Sequence, residues 1–270
     1  MLNVLCSPVV TNCTFLENHA QSALGPYGLP YGGEGGAMVN ARSGAVVSEC
    51  AFTANSAQLN GGAVLNGTDS AGPLPLFANC LFSDNHAGAW GSAFMSYPPF
   101  PGYLPGITVT NCTFTGNDGA SATIDSAYST LTNCIAWGNT DDTFSRYGTE
   151  RTGVLYSDVQ GGFEGEGNID LDPLFTDPLN GDYTLQDGSP CLDTGTMAGA
   201  PATDLMGIAR PQGPGIDMGA YEKPVGEGEG EGEGQVPVCG PPGLAVLAVA
   251  LSVCLVAVLW TRPSPARQSW

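Results

Sequence analysis

Apolar residues in the first half of the chain follow neither strict alternation nor a helical period. Val10, Val47, Phe77, Val109 and Leu131 each stand three residues before a cysteine, at Cys13, Cys50, Cys80, Cys112 and Cys134. Two residues after the first four come Phe15, Phe52, Phe82 and Phe114, with Ala136 in that place after the fifth. Five residues after each cysteine comes an asparagine: Asn18, Asn55, Asn85, Asn117 and Asn139. A self-similar interval of ~20–50 residues marks stacked-coil architectures. Strand side chains alternate between faces, so the positions before and after the cysteine share a face only if the chain bends between them. Asn12, Asn79, Asn111 and Asn133 immediately precede the cysteine, with Glu49 the exception. Asn is the residue after Gly that best tolerates the left-handed conformation. Each coil is therefore predicted as short strand, bend, short strand, with Val, Cys and Phe turned inward and the second Asn at the next corner.

Beyond that corner the first three repeats read Gly35-Gly36-Ala37, Gly61-Gly62-Ala63 and Gly91-Ser92-Ala93. Small residues there permit a tight turn and close approach of coils. Coils stacked ~4.8 Å apart would align like residues into ladders. Helix is disfavoured by the abundance of Gly, 39 residues, and by the lack of a 3.6-residue period. The predicted fold is all-β, a right-handed parallel β-helix solenoid over residues 1–160. The N-C-x-F-x-x-N phrase and the G-G-A turns resemble the repeats of pectin-lyase-like proteins of polymorphic outer-membrane-protein type. That resemblance implies the architecture and leaves the chemistry open, because the fold carries lyases, hydrolases, adhesins and stalks alike.

Three insertions interrupt the coils. Gly25 to Glu34 carries Tyr27 and Tyr31, Gly67 to Pro75 is rich in Gly and Pro, and Ser96 to Gly106 carries Tyr97, Phe100 and Tyr103. The latter two follow equivalent strands and should emerge side by side. Aromatics on Pro-stiffened loops form either a sugar-stacking platform or a shield over the coils. Tyr27, Tyr31, Tyr97, Phe100 and Tyr103 are the candidate ligand-binding residues.

Charge narrows the partners. Seven Lys plus Arg against 26 Asp plus Glu give a formal net charge of −19, which excludes nucleic acid, whose phosphates need a basic face. The nine cysteines suggest disulfides in an exported protein. Five of them fall on equivalent inward positions, however, where their Cβ vectors would run parallel, a poor geometry for bonding. They are expected to stack as buried thiols. No C-x-x-C spacing occurs, which argues against zinc.

From about Ser157 the style changes. Gly167-Asn168-Ile169-Asp170-Leu171-Asp172-Pro173-Leu174-Phe175 leads to Gly188-Ser189-Pro190-Cys191-Leu192-Asp193, then to Asp204-Leu205-Met206-Gly207-Ile208-Ala209-Arg210-Pro211 and Asp217-Met218-Gly219-Ala220-Tyr221-Glu222. The D-x-x-G-x-x-R-P and D-x-G-A-Y-E strings resemble the C-terminal module of choice-of-anchor surface proteins. The resemblance implies a β-helix followed by an interchangeable anchor. The spacing suits successive tight turns, with Arg210 placed to pair with Asp204 or Asp217. Asp170 and Asp172 form a candidate Ca²⁺ pair, or simply turn formers; no other cofactor is expected.

The predicted divisions are a cap or anchor-like module at 161–222, an acidic Gly-Glu linker at 223–242, a transmembrane helix at 243–260 and a basic cytoplasmic tail at 261–270. The eighteen uncharged residues from Gly243 to Trp260 would span ~27 Å as a helix, with Arg262 and Arg267 on the inner side. Met1 to Val9 resembles no signal peptide, so a leader and further coils are expected to precede this sequence in a longer protein. Localisation is expected at a bacterial cell envelope with the β-helix outside.

A lyase needs a Lys or Arg base and a hydrolase needs paired carboxylates. The coils carry only Arg42, Arg146 and Arg151, and Asp141-Asp142 is not followed by a G-H-G. His19 and His86 directly follow the corner asparagines and read as turn residues. The expected function is non-catalytic: a membrane-anchored surface protein that binds glycans or other surface proteins, or a stalk. A polysaccharide lyase or hydrolase is the alternative.

Overall fold

The computed structural model describes residues 1–24, 30–67, 74–97, 106–126, 128–144 and 152–225. The chain divides into two units, Met1–Gly226 and Glu227–Trp270. The second unit, with most of the expected linker and all of the expected membrane helix and tail, lies outside the described residues. Among the described residues no helix is long and apolar enough to cross a membrane.

The first unit is a parallel β-helix. Three six-stranded parallel sheets and one short four-stranded sheet run along its axis. Sheet 1 contains Met38–Ala41, Val64–Gly67 and Phe94–Tyr97; sheet 2 contains Val46–Ser48, Leu76–Ala78 and Thr108–Thr110. Sheet 3 contains Ala51–Thr53, Leu81–Ser83 and Thr113–Thr115, and sheet 4 contains Ser56–Ala57 and His86–Ala87. The register places like upon like: Val47 on Phe77 on Val109, and Phe52 on Phe82 on Phe114.

The bend between sheets 2 and 3 falls where the asparagines predict it. Asn12, Glu49, Asn79, Asn111 and Asn133 all have φ between 49° and 55°. The next corner is made by the residue before the ladder asparagine: Glu17, Ala54 and Asp84 at φ 52°, 54° and 56°, then Gly116 and Gly138 at 64° and 71°. At the glycine turns, Gly61 has φ +67°, and a Cβ on Gly62 would collide with the carbonyl of Ser92 in the next coil. One glycine is thus required by conformation and its neighbour by the stacking distance.

A sixth coil escapes the cysteine phrase. Gly153–Leu155 and Asp158–Val159 extend sheets 2 and 3, with Tyr156 at the bend, φ 50°. Ser157 fills the cysteine place and accepts from the Cys134 backbone N–H at 2.9 Å through its hydroxyl. Asn168 then accepts from Ser157 N at 3.0 Å and donates to Val154 O and Phe163 O. Phe163 meets Phe144 edge-on at 4.9 Å over the core. The coil pairing therefore continues to Val159, and the next dozen residues close that end.

Inside, Phe15, Phe52, Phe82 and Phe114 stack nearly parallel with centroids 4.6, 4.8 and 4.9 Å apart. That spacing is imposed by the ~4.8 Å strand separation. Phe94 fills the interior beside them, edge-on to Phe77 at 4.6 Å. The thiol row is as expected for Cys50, Cys80, Cys112 and Cys134, which are buried and free. Each donates to the carbonyl two residues earlier at 3.1–3.4 Å. Burial pushes the Cys134 thiol up to about 12, so it stays protonated and inert. Cys13, on the terminal rung, is exposed instead of buried, because none of the described coils stacks on its outer side.

The corner asparagines form a second ladder. Asn18, Asn55, Asn85 and Asn117 each donate through Nδ2 to the Oδ1 of the next, at 2.8, 3.0, 2.9 and 2.9 Å, ending on Asn139. A parallel ladder of Asn3, Asn40 and Asn66 lines sheet 1. Every rung leaves its acceptor for the preceding coil, so buried amides satisfy one another along the axis.

Candidate functional site

After residue 171 the chain does not stop at the end of the stack. It returns as a strap along the outer face of sheet 3. The outward positions there, Ala51, Leu81 and Ile135, are apolar and pack against Phe175, Tyr183, Leu185, Cys191 and Met218 of the strap. The bend asparagines hold it. Asn133 donates to Thr196 O and accepts from Thr196 N, both at 2.8 Å. Asn111 donates to Asp217 O at 3.2 Å, and Asn79 to Thr203 O. Thr113 Oγ1 accepts from Ala220 N at 3.0 Å.

The two strings that resemble an anchor module form one buried knot within the strap. Arg210 Nη1 lies 2.8 Å from Glu222 Oε2 with both side chains almost fully buried. The guanidinium also donates to the carbonyls of Asp217 and Gly219 at 3.0 and 2.9 Å. The expected pairing of Arg210 with the carboxylate of Asp204 or Asp217 is not formed. Those shorter side chains accept from backbone N–H groups: Asp204 from Met206, Ile208 and Glu222, and Asp217 from Asp193 and Lys223, all at 2.7–2.8 Å. Only the longer Glu222 reaches the guanidinium. Burial pushes Asp217 and Glu222 upward and lowers Arg210.

A buried acid sits where strap and coils meet. Asp158 occupies the outward place on sheet 3 next to Ile135. It accepts from Leu171 N at 3.2 Å and from the Cys191 thiol at 3.3 Å. Burial raises it to about 6, with smaller contributions from the charges of Asp170 and Asp172. Since the unfolded chain holds this proton only to a pKa of ~3.9, the folded state is favoured by the protonated form. Stability should therefore fall as pH rises from about 4 through about 6, by roughly 2–3 kcal/mol from this group. Thermal unfolding of Asp158→Asn against wild type between pH 4 and 8 checks this. The variant should gain on wild type across that window, and parallel curves would refute it.

Sheet 4 carries the most concentrated polar chemistry. His19, Ser56, His86 and Asp118 align in register and face outward, followed by Thr140. The histidines lie in two-residue strands, not turns. His19 Nδ1 is 2.6 Å from Ser56 Oγ, and His86 Nδ1 is 3.3 Å from Asp118 Oδ2. Thr140 Oγ1 donates to Asp118 Oδ1 at 2.7 Å. That hydroxyl holds Asp118 below the usual carboxylate range, whereas burial pushes the neighbouring Asp141 up. Asp141 and Asp142 border a groove of about 410 Å³ with Phe144, Gln160 and Phe163. An acid driven up beside one held down is the electrostatic arrangement of an acid/base pair.

Of the aromatic candidates, Tyr27, Phe100 and Tyr103 lie outside the described residues. The backbone of Tyr31 pairs with Ala23 in an antiparallel hairpin, and that of Tyr97 pairs with Gly67 in sheet 1. The second and third insertions therefore leave adjacent strands. Asp170 accepts from Gly161 N at 3.1 Å, nine residues earlier, and Asp172 from Leu174 N at 3.0 Å, two residues on. Among the described residues no group of three or more His, Cys, Asp or Glu could hold a metal ion. A further groove, missed in the sequence, separates the strap hairpin, Phe175–Asp177 and Asp182–Leu185, from the sheet 3 corner at Asp84, Gly116 and Trp137. Its signal was Trp137, an indole where equivalent coil positions carry Leu16, Thr53, Ser83 and Thr115.

No curated protein and no solved structure matches the chain. Residues 35–160 match the family model described as right handed beta helix region, the stretch in which the coils, their bends and their ladders have been described.

Proposed function

We propose that the chain is a non-catalytic β-helix displayed at a bacterial cell surface, where it binds glycan on a stiff rod. The observation that carries this reading is where the repeated polar residues go. The asparagine ladder runs through every coil from Asn18 to Asn139, and the bend asparagines Asn79, Asn111 and Asn133 fix the strap to the flank. Both serve rigidity along the axis, the property a display scaffold or stalk needs. The anchor-module resemblance and the uncharged segment at 243–260 support attachment through a single membrane helix. The resemblance to polymorphic outer-membrane-protein repeats supports the same location. The test is a glycan array and polysaccharide-depletion screen on the full chain, with and without Ca²⁺, because Asp170 and Asp172 offer carboxylate oxygens. The same samples are assayed for reducing ends and unsaturated products. Retention without product is the expected result.

A second reading, a polysaccharide hydrolase, is favoured by one observation, the divergence of Asp141 and Asp118 beside His86. Product formation that disappears in Asp141→Asn would establish it in place of the first.

A further inference from the structure

We infer that the groove between the strap hairpin and the sheet 3 corner is a binding subsite for a neutral glycan. The inference rests on the glycan-binding reading and assigns it to a place apart from the sheet 4 row.

The groove encloses about 520 Å³, within the ~300–1,000 Å³ of small-molecule sites. Its floor is the backbone of Gly116 and Gly138, which take left-handed φ of +64° and +71° and carry no side chain of their own. Trp137, half-buried, forms the coil-side wall. Tyr183 and Phe175 stand across it, edge to face at 5.4 Å. The Asp84 carboxylate lies over the floor, since a Cβ on Gly116 would collide with its Oδ1.

Polar groups around the groove open into it. The indole N–H of Trp137 and the Tyr183 hydroxyl are not among the buried atoms without a partner, and the Asp84 side chain is exposed. Gln186 spends its amide N–H on Phe175 O at 2.8 Å, which leaves its carbonyl oxygen unengaged. Burial, then the charge of Asp84, raises the Tyr183 phenol, so it remains a donor at neutral pH.

Those groups identify the ligand class. A sugar ring offers an apolar C–H face to an indole, and hydroxyls that both donate and accept. The groove supplies both roles: donors at Trp137 and Tyr183, acceptors at Asp84 and Gln186. A cationic ligand would need only acceptors. An acidic glycan would be repelled by Asp84 and Asp172 on a chain of net charge −19.

The experiment titrates the full chain with cellohexaose, mannohexaose and xylohexaose by calorimetry. Polygalacturonate serves as the acidic control and polylysine as the cationic one. Trp137→Ala should weaken the best neutral ligand at least tenfold. Tyr183→Phe keeps the ring and Asp84→Asn alters an exposed side chain; each should weaken it several-fold with an unchanged Tm. If wild type binds and all three variants bind equally, the groove is not the site, although glycan binding elsewhere would survive. Silence of wild type towards every glycan would overturn both the site and the reading beneath it. Preference for polylysine over all neutral sugars would overturn the ligand assignment.

Discussion

Asn85→Asp should be among the most damaging single substitutions in the coils, costing about 3–5 kcal/mol at neutral pH. Asn85 is fully buried. Its Nδ2 donates to Asn117 Oδ1 and to Phe52 O, both at 2.9 Å, while its Oδ1 accepts from the N and Nδ2 of Asn55, both at 3.0 Å. A carboxylate keeps the two acceptor contacts and loses both donors. It then faces two buried carbonyl oxygens with no proton between them, and it places a charge where no cation lies near. Asn18→Asp makes the same chemical change on the exposed terminal rung, where water replaces the lost partner; about 1 kcal/mol or less is expected there. The pH dependence separates desolvation from simple loss of bonds. An Asp at position 85 would have its pKa raised, so its penalty shrinks as pH falls towards 4 and the side chain regains a proton to donate. Thermal unfolding of both variants at pH 4 and pH 7 provides the measurement. Equal losses at the two rungs, or a pH-independent loss at 85, would mean the ladder is not what holds the corner.

The repeat was readable because its positions are sterically exclusive. The left-handed bend before the cysteine favours Asn, with Glu49 the exception, a ~4.8 Å stack brings like residues together, and glycine packed under a carbonyl admits nothing larger. The sixth coil was unreadable for the converse reason. At Ser157 the structure needs only a small side chain with an acceptor, and at Tyr156 it tolerates a left-handed residue that propensity would not choose. The strap was half legible. Its turn-forming Asp and Gly residues were clear, but a cap at the end of the stack was the natural expectation. The overlooked sign was on the coils themselves. Ala51, Leu81 and Ile135 are apolar at a position that alternation turns outward, so something had to cover them. Arg210 was recognised as a pairing cation but given the wrong partner, because spacing alone does not reveal that Asp204 and Asp217 are already engaged by backbone N–H groups. The groove at Trp137 needed the strap's path before it could exist at all.

That path makes Arg210→Met the second large effect. The guanidinium satisfies Glu222 and two carbonyls at once, and removing it leaves Glu222 buried and unpaired, at a cost of about 3–5 kcal/mol. Lysine should not rescue it, because a point charge on a flexible stem cannot reproduce a planar fork reaching three acceptors. Glu222→Gln in the Arg210→Met background should recover part of the loss, since the uncompensated charge is gone; the two sites touch, so their effects should not add. The loss should be local. The ladders and the Phe stack involve no strap residue, so the coil β-signal should persist while residues beyond Cys191 become open to protease and the Ala51, Leu81 and Ile135 row binds an apolar dye. A variant that resists protease like wild type would show that the strap is held by its apolar face and its bonds to Asn79, Asn111, Asn133 and Thr113, without need of the knot. If instead strap and coils unfold together, the docking through Asn111, Asn133 and Thr113 is strong enough to make them one cooperative unit, and Tyr183 and Phe175 are then fixed against Trp137 by the whole fold rather than by the knot.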